Sequence, residues 1–120
     1  MEVLARLRIG EWQVERTTNE LVRAGEAVRI EPKAVEVLMA LASRAGQVVS
    51  REELMAAVWP GVIVGDEALT QSIIKLRRAL GDNPRAPTYI ETISKRGYRL
   101  IAPVRRVGDA PAAPARRRIS

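Results

Sequence analysis

Apolar and polar residues alternate along the first thirty positions. Leu7 and Ile9 flank Arg8, Trp12 and Val14 flank Gln13, and Leu21 and Val28-Arg29-Ile30 continue the pattern less regularly. A period of two predicts strands with one face buried. The breaks at Ile9-Gly10-Glu11, Thr17-Thr18-Asn19 and Ala24-Gly25-Glu26 carry turn residues. Together they predict an antiparallel meander of about four short strands.

The period changes at Pro32. Ala34, Val35, Leu38, Leu41 and Ala42 recur at helical spacing, and Pro suits the first position of a helix because its missing N–H would have no partner there. This first helix is expected to stop at Ala45-Gly46, with a short strand over 47–49 after it. Ser50-Arg51-Glu52-Glu53 has the form of a capping box, in which Ser50 accepts from the third amide and Glu53 reaches back. It predicts a second helix carrying Leu54, Val58 and Trp59 and ending at Pro60-Gly61. A third helix starts near Asp66 and carries a 4-3-4 stripe of Leu69, Ile73, Leu76 and Leu80, closed by Gly81-Asp82-Asn83-Pro84. The β-rich runs Tyr89 to Ile93 and Gly97 to Ile101 enclose Ser94-Lys95-Arg96, which predicts a hairpin with a basic tip.

Charge changes the picture more than bulk composition does. The net charge is +6 over 120 residues. Residues 1–67 hold 8 Lys/Arg against 11 Asp/Glu, residues 68–104 hold 7 against 2, and residues 105–120 hold 5 against 1. An acidic first half and a basic second half suggest a localised face for a polyanion. The chain has no Cys and no His. That removes thiolate nucleophiles, Cys-ligated zinc, the commonest general acid/base and the commonest metal ligand. No metal site and no cofactor are expected, and the chain is not expected to be an enzyme. The carboxylate pairs Glu52-Glu53 and Asp66-Glu67 are explained by helix capping and the helix dipole rather than by metal-dependent cleavage. No signal peptide or apolar span of membrane length is visible, which suits a reducing cytoplasm.

On a helical wheel the third helix turns Glu67, Gln71, Ile74, Lys75 and Arg78 away from its apolar stripe, with Thr70 and Arg77 on one flank. Cations with an amide and an apolar group can read a major groove: Gln pairs with adenine, Arg or Lys with guanine, and Ile touches a thymine methyl. Taken alone, such a face is more often that of a solvated amphipathic helix. The basic hairpin tip adds a second element, since Lys95 and Arg96 at a protruding turn before Gly97 can reach a minor groove or its phosphates. Arg99 is a further candidate for a phosphate, or for a surface salt bridge. Helix and tip within one basic segment point to duplex DNA.

The blocks Ile30-Glu31-Pro32-Lys33, Val48-Val49-Ser50-Arg51-Glu52-Glu53-Leu54, Val58-Trp59-Pro60-Gly61, Leu76-Arg77-Arg78-Ala79-Leu80-Gly81-Asp82, Tyr89-Ile90-Glu91-Thr92-Ile93 and Lys95-Arg96-Gly97-Tyr98-Arg99-Leu100 occur in this order. In them the sequence resembles the OmpR/PhoB-type winged helix-turn-helix domain, nearest to the N-terminal domain of CadC/ToxR-like transcriptional regulators. The resemblance covers about residues 4 to 104. It implies an α+β fold with a four-stranded N-terminal antiparallel sheet, a three-helix bundle and a C-terminal β-hairpin wing, occupying residues 1–104, with an Ala/Pro/Arg-rich tail over 105–120. It implies a sequence-specific DNA-binding regulator whose helix over 66–80 lies in the major groove and whose wing over 94–97 meets the minor groove. Thr70, Gln71, Ile74, Lys75, Arg77, Arg78, Lys95, Arg96 and Arg99 are the expected DNA-binding residues. The loop bearing Val62, Ile63 and Val64 corresponds to one that contacts RNA polymerase in some members. The resemblance further implies no receiver domain ahead of this one, head-to-tail pairing on DNA, and a membrane tether if the chain continues past Ser120. Glu67 and Ile74 depart from the more basic helix of many relatives. The other reading is a winged helix that contacts RNA polymerase or another protein.

Overall fold

The computed structural model describes residues 6–106. Strands β1 (Arg6–Ile9), β2 (Trp12–Glu15), β3 (Glu20–Arg23) and β4 (Glu26–Arg29) form the expected antiparallel meander. Its alternation puts Leu7, Ile9, Trp12, Val14 and Leu21 on the buried face. Helix α1 (Pro32–Ala42) follows, then β5 (Val48–Ser50), α2 (Arg51–Val58) and α3 (Glu67–Leu80). The wing is β6 (Ile90–Ile93) with β7 (Gly97–Leu100), and β8 (Val104–Arg106) ends the described chain.

The first sheet has five strands, in the order β4-β3-β2-β1-β8, and not the expected four. The fifth is β8, which returns to β1 with Ile9 opposite Val104 and Leu7 opposite Arg106. Its sequence, Val-Arg-Arg, offers one apolar residue and so no readable alternation. Arg105 and Arg106 therefore belong to a strand; the rest of the expected tail, from residue 107, lies outside the described residues.

Helix α1 has Pro at its first position and ends at Ala42, with Ser43 as its C-cap three residues before Gly46. The turn to Gly46 completes the connection: Gly46 takes φ +81° and its amide donates to the carbonyl of Leu100. Helix α1 is the central element, with Ala34, Val35, Val37, Leu38 and Leu41 all buried. It packs on α2 and α3, and one aliphatic core joins the helices to both sheets. The capping box at α2 is complete in both directions. Lys33, from α1, donates to the carbonyl of Val58 at 2.8 Å and so closes the other end of α2. Helix α3 stops at Gly81, whose left-handed φ of +73° favours glycine. Among the described residues no helix is long and apolar enough to cross a membrane.

Candidate nucleic-acid interface

The third helix buries the stripe that its sequence marked. Leu69, Ile73, Leu76 and Leu80 are each at most 1% exposed. Glu67, Gln71, Ile74 and Arg78 are exposed, and Thr70, Lys75 and Arg77 are half-buried. The outward face thus presents an amide, an apolar side chain and a guanidinium at successive helical turns. Trp12 anchors the C-terminal end of α3 by donating its indole N–H to the carbonyl of Leu80 at 3.2 Å.

Three of the cations expected to meet DNA already have partners. Lys75 lies 2.8 Å from the carboxylate of Glu31. Arg77 donates to the carbonyl of Ile90 and to the hydroxyl of Thr92, both at 2.8 Å. It therefore bridges α3 to the first strand of the wing. Arg99 pairs with Glu91 directly across the hairpin, at 2.9 Å from its Nε. Of the two readings of Arg99, the structure contains the salt bridge. Arg78, Lys95 and Arg96 have no ion pair and no side-chain hydrogen bond among the described residues.

The wing tip is Ser94-Lys95-Arg96, all exposed. Its turn is closed by the amide of Arg96 donating to the carbonyl of Ile93. The left-handed residue of this turn is Lys95, at φ +61°. Gly97 has a different task from turn-making. A Cβ there would overlap the carbonyl oxygen of Val49 and stand 2.8 Å from the Cα of Ser50. Only glycine lets β7 lie this close to β5, where Gly97 faces Ser50.

Two residues outside the expected DNA-binding set organise the interface. Arg51, the first residue of α2, donates to the Asp66 carboxylate (3.0 Å), the Asp66 carbonyl (2.9 Å), the Thr70 hydroxyl (2.8 Å) and the Tyr98 hydroxyl (2.6 Å). One guanidinium fork thus joins the starts of α2 and α3 to the second strand of the wing. Thr70 is held in this network as an acceptor, and Tyr98 is buried with its hydroxyl at the edge of the core. Asp82, only 8% exposed, accepts from the amides of Thr88, Tyr89 and Ile90. These bonds satisfy backbone donors that would otherwise be stranded where the chain leaves α3 for β6. The role of Arg51 has no local sequence signature, because Tyr98 lies 47 residues away in the chain, whereas the partners of Asp82 lie only 6 to 8 residues on.

The loop between α2 and α3 leaves Ile63 fully exposed and Val62 58% exposed, while Val64 is half-buried. Trp59 is itself half-buried against the core, and the fully exposed Ile63 does not fold back to cover it. The capping carboxylate of Glu53 has its pKa lowered, chiefly by the amide of Ser50 and then by Arg44.

Residues 25–100 match the family described as "Transcriptional regulatory protein, C terminal". The chain is 42% identical over 99 residues to the transcriptional activator CadC of Escherichia coli, an alignment covering 82% of this chain and 19% of that protein. It spans about a fifth of that relative's length. The solved DNA-binding domain of E. coli CadC superposes with a TM-score of 0.75 at 40% identity, covering 82% of this chain and 94% of that one. The Klebsiella pneumoniae RstA DNA-binding domain, solved in complex with the RstA box, superposes with a TM-score of 0.69 at 26% identity, covering 80% and 96%. With its meander, three helices and wing in the same arrangement, the chain belongs to the OmpR/PhoB-type winged helix-turn-helix family of transcriptional regulatory DNA-binding domains.

Proposed function

We propose that the chain is the DNA-reading module of a transcriptional regulator, with α3 in the major groove and the wing at the minor groove. Gln71, Ile74 and Arg78 face base edges. Lys95 and Arg96 meet phosphates or the minor-groove floor. Lys75 joins in by exchanging Glu31 for a phosphate. Thr70, Arg77 and Arg99 act differently from the simple contacts expected of them: Thr70, through Arg51, and Arg77 hold α3 and the wing in one geometry, and Arg99 braces the hairpin through Glu91. What carries this reading is the distribution of uncommitted cations. Arg78 on α3 and Lys95 and Arg96 at the tip project from two elements that Arg51 and Arg77 clamp together. Glu67, exposed in the first turn of α3, either accepts from a cytosine amino group or repels phosphate, and so sharpens sequence choice.

Selection of duplexes from a randomised pool tests the placement. Wild type should enrich a defined motif. Gln71→Ala should lose preference at one position, by about 1–3 kcal/mol. Arg78→Ala should weaken binding more than Lys75→Ala, because Glu31 already neutralises Lys75. Unchanged motif and affinity in all three variants would sink this docking.

The exposed Val62 and Ile63 favour a second role alongside the first, as a contact for RNA polymerase. Head-to-tail pairing on DNA, a membrane tether beyond Ser120 and a cytoplasmic location fit the same reading of the chain as part of a CadC/ToxR-like regulator.

A further inference from the structure

An open cleft of about 780 Å³ lies between the β3–β4 hairpin and the C-terminal half of α3. Its apolar lining includes Trp12, Val28, Ile30, Pro32 and Ala79. Two carboxylates and four cations surround it. Both carboxylates are engaged: Glu26 lies 3.6 Å from Arg23, and Glu31 lies 2.8 Å from Lys75. Arg23 is also stacked 4.2 Å over the ring of Trp12. That leaves Arg29 and Arg78, both exposed and without an ion pair or side-chain hydrogen bond among the described residues. The cleft therefore combines an apolar wall with two guanidiniums whose charge is uncompensated locally.

We infer that this cleft is a binding site for an organic anion with a flat apolar body, such as an aryl carboxylate or sulfonate. Its volume is in the range of small-molecule sites, roughly 300–1,000 Å³, and their lining is likewise mostly apolar with a few placed polar groups. A bare phosphate would leave the apolar wall unused. A neutral aromatic would leave Arg29 and Arg78 without a partner. Guanidinium forks suit planar oxyanions, which they bind in bidentate fashion. The site has a consequence for DNA, which rests on the proposed docking. Arg78 belongs to both surfaces, so an anion held in the cleft withdraws it from the duplex and weakens DNA binding.

The test is a titration of the full 120-residue chain, without DNA, with naphthalene-2-sulfonate, followed by amide NMR shifts. Saturable shifts confined to Trp12 and the cleft-lining segments around 23–32 and 75–81 are expected. Neutral naphthalene-2-sulfonamide should bind at least about tenfold more weakly, as should the sulfonate on an Arg29→Ala/Arg78→Ala variant, because the charge-assisted hydrogen bonds are then missing. Both arginines are exposed, so the variant keeps the fold, which its amide spectrum verifies. Shifts that never saturate or scatter over the surface would overturn the site, and so would equal binding of the sulfonamide or an unaltered affinity in the double variant. A separate anisotropy measurement with duplex DNA keeps the two readings apart. A chain that binds the probe but no DNA contradicts the proposed function and not the cleft. A chain that binds DNA but no probe contradicts the cleft alone.

Discussion

Replacing Arg51 by alanine removes four hydrogen bonds that hold three elements together, to Asp66 (twice), Thr70 and Tyr98. Hydrogen bonds to charged groups contribute roughly 1.5–3 kcal/mol each when well shielded. Shielding here is uneven. The Arg51 side chain is 30% exposed and its carboxylate partner Asp66 is 71% exposed, so that ion pair is worth only about 0.2–1 kcal/mol. The bonds to Thr70 and Tyr98 are partly buried and dominate. Water can reach part of the vacated space. The net loss should be about 2–3 kcal/mol, and at roughly 4–8 °C per kcal/mol for a domain of this size the melting temperature should fall by about 10–20 °C. A lysine at this position would keep a charge but not the fork, so Arg51→Lys should recover less than half of the loss. Circular dichroism melts measure this directly. The functional consequence is read from a double-mutant cycle below the melting temperature. If Arg51 fixes the wing relative to α3, the penalty of Lys95→Ala/Arg96→Ala on DNA binding should shrink in the Arg51→Ala background, with a coupling above about 0.5 kcal/mol. A melting shift under about 4 °C, or wing and Arg51 effects that simply add, would refute the reasoning.

Gly97→Ala drives a methyl into the Val49 carbonyl oxygen and within 2.8 Å of the Ser50 Cα, both backbone atoms that cannot step aside, so β5 and β7 must part. A loss of at least about 3 kcal/mol is expected in denaturant unfolding, beyond the usual cost of overpacking, and a change under about 1 kcal/mol would contradict the close approach. Asp82→Ala strands three backbone amides, one of them in the core, and should cost about 3–4 kcal/mol, measured the same way, with hydrogen exchange speeding first at Thr88 to Ile90. Glu53 has a lowered folded pKa, so its contribution is complete above the unfolded value of about 4.3 and is lost as pH falls through the lower folded value. The stability difference between wild type and Glu53→Gln should therefore be constant near neutrality and vanish in acid; a difference independent of pH would count against the capping charge.

Signals that live within a few residues of sequence are legible. The capping box at Ser50 and Glu53, the 4-3-4 stripe of α3, Pro32 at the start of α1 and the hairpin about Lys95-Arg96 all recur in the structure at their expected places. Signals that depend on a distant partner are not. Strand β8 is defined by its pairing with β1 and has too few apolar residues to announce itself. A wheel that turns Lys75 outward contains nothing of Glu31, which meets it, nor of Ile90 and Thr92, to which Arg77 reaches. In sequence Gly97 only marks the end of the basic turn, whereas its Cβ-less face matters because a strand from elsewhere in the chain lies against it. Outward cations are therefore readable from one helix. Which of them remain free is a property of the whole fold.

Fluorescence anisotropy of wild type and a Lys95→Ala/Arg96→Ala variant on a randomised duplex pool, across a salt series, bears on DNA binding itself. Each phosphate neutralised adds about −0.9 to the slope of log affinity against log salt. With Lys95 and Arg96 free and Lys75 recruited to phosphates, the wild-type slope should be roughly −3, and the variant's should be shallower by about 2. No binding at low salt, or a slope that the wing substitutions leave untouched, would contradict the placement of helix and wing on DNA.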